Sequence, residues 1–125
     1  MTIPFKVVAT EFEPWIWELK LEGSIDMSNY SKVDEALKGV FERGASLVIV
    51  NLQRVQYISS TGFGCFLGYY NPAAKEPKWF VFTQVPPAVK RVFDSLGLGG
   101  ILEFAPSSEA AAALLRQKVR KSLAR

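Results

Sequence analysis

Histidine is absent from the 125 residues of this chain, which removes at one stroke the commonest general base and the commonest metal ligand. A catalytic triad built on histidine is excluded. Cys65 is the sole cysteine, so no intrachain disulfide framework exists, in keeping with a reducing compartment. Alone in an apolar segment, Cys65 reads as a small buried hydrophobe rather than a zinc ligand. The phosphate-cradling pattern Gly-x-x-x-x-Gly-Lys-Ser/Thr does not occur, and Gly62-Phe63-Gly64 is too short to count as a dinucleotide fingerprint. Gly97-Leu98-Gly99-Gly100 follows a helical pattern rather than a strand and reads as a helix stop. No apolar run reaches the ~18 residues a membrane span needs, and the first residues show no basic stretch leading into an apolar one. The expectation is a cytoplasmic chain with no catalytic residues, no metal, no cofactor and no direct membrane insertion.

Enough apolar sequence is present to build one ordinary core. The length fits a single domain, residues 1–125, and hydrophobic residues make up 49% against 22% charged, which argues against wholesale disorder. The net charge of +3 is unevenly placed. Arg116, Lys118, Arg120, Lys121 and Arg125 follow Leu115 without an acid between them. Without those five of the fifteen basic residues, ten remain against twelve acidic ones, so the body of the domain is slightly negative. A basic final turn answers the helix dipole, and that reading is preferred over nucleic-acid or membrane contact.

Hydrophobic periodicity places the elements. Trp15 to Gly23 alternates, with Trp15, Trp17, Leu19 and Leu21 on one side and Glu18, Lys20 and Glu22 on the other, which predicts a strand with one wet face. Ile3 to Ala9 pairs with it across a Glu11 to Pro14 turn. Ser28 is placed as N-cap of a helix to Arg43, with Val33, Leu37, Val40 and Phe41 inward and Gly44 as its stop. Ser46 to Leu52 is β-branched and apolar on both faces, as a central strand is. Lys78 to Thr83 is a further strand. Pro86-Pro87 opens a helix carrying Val89, Val92, Phe93 and Leu96 and ending at Gly97. Ile101 to Phe104 is a last short strand, and a helix from about Ser108 offers Ala111, Leu114, Leu115 and Val119 to the sheet. The order β-β-α-β-α-β-α-β-α predicts an α/β fold with a mostly parallel, mixed sheet.

The informative segment is Ile58-Ser59-Ser60-Thr61-Gly62-Phe63-Gly64. Three hydroxyls at a strand-to-helix junction need do no more than cap free N–H groups. The following helix adds a second signal, because no charged residue occurs from Thr61 through Ala74, whereas a surface helix normally carries charge on its outer side. Phe63, Phe66, Leu67 and Tyr70 form one stripe, and Gly64 and Gly68 form another that suits close approach to the sheet. An uncharged helix beside a hydroxyl loop predicts a docking surface whose helix N-terminus suits a phosphate.

These residues resemble the STAS domain, the module of bacterial anti-sigma factor antagonists and of sulphate-transporter tails. Gly23-Ser24-Ile25-Asp26 is similar to the family's Gly-x-Leu-Asp segment, Ser46 to Leu52 to its central Val-Leu-Asp-Leu strand, and Ile58 to Gly64 to its Ile-Asp-Ser-Ser/Thr-Gly-Leu-Gly loop. Val85-Pro86-Pro87-Ala88-Val89 with Leu96-Gly97-Leu98 is similar to its third-helix pattern. The resemblance implies a STAS-like mixed β-sheet with helices packed on one face.

It also implies a function, that of an anti-sigma factor antagonist without a reaction of its own. In that reading the chain binds an anti-sigma factor that is also a serine kinase, and so frees a sigma factor. The switch serine falls on Ser60, with Thr61 as the alternative acceptor and a metal-dependent serine/threonine phosphatase as the restoring partner. The implied partner-binding residues are Ser24, Asp26, Met27, Ser59, Ser60, Thr61 and Phe63, with Phe63 as apolar anchor and Thr61 capping a helix that begins near Gly62. Two positions depart from the pattern: Ser59 stands where the family has Asp, and Asn51 replaces the Asp of the central strand. The alternative from another functional class is a STAS subunit of a phospholipid transporter or signalling scaffold without phosphoregulation.

Overall fold

The computed structural model describes residues 2–69, 79–97 and 102–123. Five strands and four helices follow the predicted order: β1 (Lys6–Glu13), β2 (Ile16–Ile25), α1 (Tyr30–Glu42), β3 (Leu47–Ile58), α2 (Ser60–Leu67), β4 (Trp79–Thr83), α3 (Pro87–Ser95), β5 (Glu103–Ala105) and α4 (Ser108–Leu123). The sheet order is β1-β2-β3-β4-β5. β1 is antiparallel to β2, and the remaining pairs are parallel. The predicted mixed sheet is therefore present, with β3 at its centre.

β3 holds that place because its side chains need cover on both faces. Val48, Val50 and Leu52 join the core formed with Val33, Leu37 and Val40 of α1, Phe63 and Phe66 of α2, and Val89 and Phe93 of α3. Leu47 and Ile49 point the other way, into a smaller core with Ile16, Val81 and Ala111, Ala112 and Leu115 of α4. Packing on one face thus holds for α1, α2 and α3, while α4 covers the opposite face. The small alanines let α4 lie close to the sheet. The side chain of Val119 lies outside the described residues, as do Lys78, Ile101 and Tyr70.

Several boundaries differ from expectation, each for a local reason. The first turn is Pro14-Trp15 rather than Glu11 to Pro14, and β1 runs on to Glu13 through an irregularity in its register with β2. Trp15 leaves the strand alternation altogether, with φ of 69° and 70% exposure. β3 continues six residues past Leu52, because Arg54, Val55, Tyr57 and Ile58 still pair with Glu22 to Ile25 at the far end of β2. That extension converts six of the nine residues expected between Leu52 and a helix start near Gly62 into strand. α1 starts at Tyr30 with Asn29 in the N-cap position, one residue beyond the predicted Ser28 cap, since Ser28 and Asn29 are both engaged in the loop described below. α3 begins at Pro87 behind Pro86, as its prolines predict.

The basic end of α4 is partly neutralised within the fold. Arg116 pairs with Glu13 at 2.5 Å and Lys118 with Glu103 at 2.6 Å. Glu13 ends β1 and Glu103 begins β5, the two edge strands, so these charges fasten the helix across the sheet as well as answering its dipole.

Candidate partner-binding site

Two loops meet at the C-terminal ends of β2 and β3. Ser24 and Ile25 sit opposite Tyr57 and Ile58 in the parallel ladder, and the Ser59 amide donates to the Ile25 carbonyl at 2.9 Å. The chain segments Ser24–Asn29 and Ser59–Thr61 are thereby held side by side. Gly62 closes the junction. A Cβ at that position would lie 2.9 Å from Ile25 Cγ2 and 3.0 Å from Ile58 Cγ1, so only glycine lets the start of α2 settle this close to the strand ends.

The first loop is wired by Asp26 and Asn29. Asp26 Oδ1 accepts from the Ser28 amide at 2.9 Å and from the Ser28 hydroxyl at 2.5 Å. Asn29 Oδ1 accepts from the Asp26 amide at 3.0 Å, and its Nδ2 donates to the Ser24 carbonyl at 2.8 Å. Side-chain bonds of this kind give Asp and Asn loops a fixed shape without regular structure. The Ser28 hydroxyl, and after it the Ser28 amide, hold the Asp26 carboxyl below the ordinary carboxylate range. Asp26 therefore stays ionised at the rim of the site.

Ser59 is the N-cap of α2. It has extended backbone angles and its hydroxyl accepts the Gly62 amide at 3.1 Å. The expectation that Thr61 caps this helix is corrected: Thr61 lies inside the first turn, exposed, where its hydroxyl is past the capping position. The departure at Ser59 costs little locally, since Ser and Asp cap helices about equally well. Asn51 is likewise accommodated, with its Oδ1 accepting the Gln53 amide at 3.0 Å.

Of the seven residues expected to meet a partner, six stand at this junction on the surface or partly exposed, and one does not. Ser60, Thr61 and Met27 are exposed, and Ser24, Asp26 and Ser59 are partly so. Phe63 is buried, with its ring 4.0 Å from that of Phe93. It is a core residue, so its assignment as an exposed anchor is corrected. The physical reason is the earlier helix start: with Ser60 as the first helical residue, position 63 rotates toward the sheet and Ser60, Gly64 and Leu67 share the outward face. Gly64 and Gly68 face solvent rather than the sheet, and a Cβ on Gly64 would meet nothing within 4 Å.

The exposed apolar surface keeps Met27 and Leu67 of the expected residues and adds Tyr30, while Phe63 drops out of it. Met27 is 76% exposed, and Tyr30 and Leu67 about 40%. The Cys65 thiol donates to the Tyr30 carbonyl at 3.4 Å and ties α2 to the start of α1, which brings these side chains to one end of the molecule. Burial, and to a smaller degree Asp34, push the Cys65 thiol pKa up, so the cysteine is neutral and packs as expected. Asn29 was missed in the sequence, and Leu67 was named there only within the apolar stripe of α2, not among the partner-binding residues. Asn29 just before a helix was a readable signal, whereas Leu67 depends on the helix phase.

A sequence profile of the STAS domain matches residues 8–111. The chain belongs to the STAS domain family. It is 26% identical over 102 residues to the anti-sigma-B factor antagonist of Staphylococcus aureus (strain NCTC 8325 / PS 47), covering 82% of this chain and 94% of that protein. Among solved structures, an anti-sigma factor antagonist from Mycobacterium paratuberculosis superposes with a TM-score of 0.74 at 22% identity, covering 92% of this chain and 95% of the other. The anti-sigma factor antagonist SpoIIAA superposes in its unphosphorylated form with a TM-score of 0.75 at 19% identity over 90% of this chain and 97% of that one. Its phosphorylated form gives 0.63 at 19% identity over 87% and 99%.

Proposed function

We propose that the chain is an anti-sigma factor antagonist, binding an anti-sigma factor through the junction of Ser24–Asn29 with the start of α2 and switched off by phosphorylation of Ser60. The observation that carries this reading is the placement of Ser60. Its hydroxyl is exposed in the first turn of α2, next to the ionised Asp26 loop and at the head of an outward face, Gly64 and Leu67, that holds no charge. A relative named for this activity and the phosphorylated form of a structural neighbour support it. The chain acts by occupancy rather than by chemistry. A phosphate on Ser60 adds roughly −1.5 to −2 charges to a neutral contact. Beside the ionised Asp26, repulsion between the two anions and the desolvation of a dianion both then oppose docking. The free domain tolerates the group, because a helix N-terminus favours an anion. The anti-sigma factor is read as the serine kinase and a metal-dependent phosphatase as its opponent.

The test is titration calorimetry against a serine-kinase anti-sigma factor from the same genome. Wild type and Ser60→Ala bind, and Ser60→Asp does not, while all three melt alike. Incubation with kinase and ATP places phosphate on Ser60 by mass spectrometry. Phosphate on Thr61 would move the switch by one residue, and a transporter ATPase as the sole bound protein would replace this reading with the transport one.

A further inference from the structure

A second concave site lies at the opposite end of the sheet from Ser60. It is a cleft of about 550 Å³ where β2 and β3 begin, bounded by Pro14, Trp15, Ile16, Leu47, Arg116 and Arg120. β2 is ten residues long, which separates the two ends by roughly 30 Å at the usual strand rise.

Three features of the cleft point the same way. Trp15 holds a left-handed backbone, with φ of 69°, which a bulky residue adopts at a cost that glycine would avoid. The turn is pinned there because the amides of Ser46 and Leu47 both donate to the Trp15 carbonyl, at 3.1 and 3.2 Å. Trp15 is 70% exposed, more than Tyr57 at 51% or Tyr30 at 39%. On the rim, Arg116 is committed to Glu13. Arg120, one turn further along α4, has no ion-pair partner among the described residues. The site thus combines an apolar floor, a wet indole and a single uncommitted guanidinium.

We propose that this cleft binds a small planar aromatic carboxylate, with its ring against the Trp15 indole and its carboxylate on Arg120. The volume is that of a small-molecule pocket rather than of an extended protein contact. One free guanidinium matches one carboxylate in a charge-assisted pair. A second anionic group would have to displace Glu13 from Arg116. The exposed indole face offers offset stacking to a planar ring. The inference is independent of the function proposed for the Ser60 end.

The test uses the full chain, labelled with nitrogen-15 and titrated with 2-naphthoate and, as its neutral counterpart, 2-naphthamide. Expected are saturable shifts at the Trp15 indole N–H, Ser46 and Leu47 with naphthoate, far weaker ones with the amide, and none at Ser59 to Gly62. Arg120→Gln weakens binding about tenfold, as loss of one charge-assisted pair does. Trp15→Gly melts no lower than wild type, because glycine accepts the turn, yet it loses the ligand. Equal binding of acid and amide, no saturable shift in the millimolar range, or wild-type affinity in Arg120→Gln would each overturn the proposal. Arg120→Gln keeps the test decisive if Trp15→Gly fails to fold.

Discussion

The ring of Phe63 meets the ring of Phe93 edge-on, with centroids 4.0 Å apart, and so joins α2 to α3 through the core. Phe82 lies 5.4 Å from Phe93 and from Phe66, which makes Phe63 one member of a ring cluster over β4. Phe63→Ala therefore removes packing rather than a docking contact. The expected loss is about 3–5 kcal/mol of stability, read by urea denaturation. Unchanged stability with lost partner affinity would mean that the ring is not held in this cluster.

The capping assignment separates two neighbouring hydroxyls. Ser59→Ala removes the acceptor for the Gly62 amide and should cost about 1 kcal/mol, whereas Thr61→Ala should change stability by less than about 0.5 kcal/mol. Ser59→Asp should keep the cap. Thermal melting of the three variants checks the order, and a larger loss in Thr61→Ala than in Ser59→Ala would contradict the observed helix start.

With Phe63 inside, the outward face of α2 is tested at Gly64 and Leu67. Leu67→Asp and Gly64→Glu should each abolish binding to an anti-sigma factor, since either places a charge on an uncharged face that the partner would have to desolvate. The fold should be indifferent, because a side chain at Gly64 meets open space. Calorimetry beside melting curves reads both quantities. Wild-type affinity in both variants would show that α2 is not at the interface.

The element order was legible because strong local signals coincide with it. The apolar run at Leu47 to Val50 and the Pro86-Pro87 pair both place the starts of their elements to within a residue. What failed was phase. Ser59, Ser60 and Thr61 are all good cap residues, and choosing among them needs the position of the β2 and β3 ends. Those ends came out differently because Gln53 to Ile58 are held as strand by pairing with β2, a non-local effect that the mixed pattern of that segment does not announce. An error of two residues in the start of α2 then turned Phe63 outward and the two glycines inward. The pairing of α4 with the second face was implicit in β3 being apolar on both sides, while Trp15 was drawn into β2 by an alternation that the turn overrides.

Asp26 offers a test by pH. Its carboxyl titrates below the ordinary range because the ionised form accepts two bonds from Ser28. In the unfolded chain those bonds are gone, so the unfolded state binds the proton at a higher pH than the folded one. The stabilisation is thus fully present above the unfolded value and is lost as pH falls through the folded one. Ser28→Ala removes the larger cause and should bring the titration back up toward the ordinary value, with the remaining amide bond holding part of the shift. Carbon-13 NMR of the Asp26 carboxyl follows both. An Asp26 that titrates at or above the usual carboxylate range in the wild type, or that is indifferent to Ser28→Ala, would mean that the loop is not wired as described. The carboxylate would still be ionised at neutral pH, but Ser28 would not fix its position at the rim of the proposed switch.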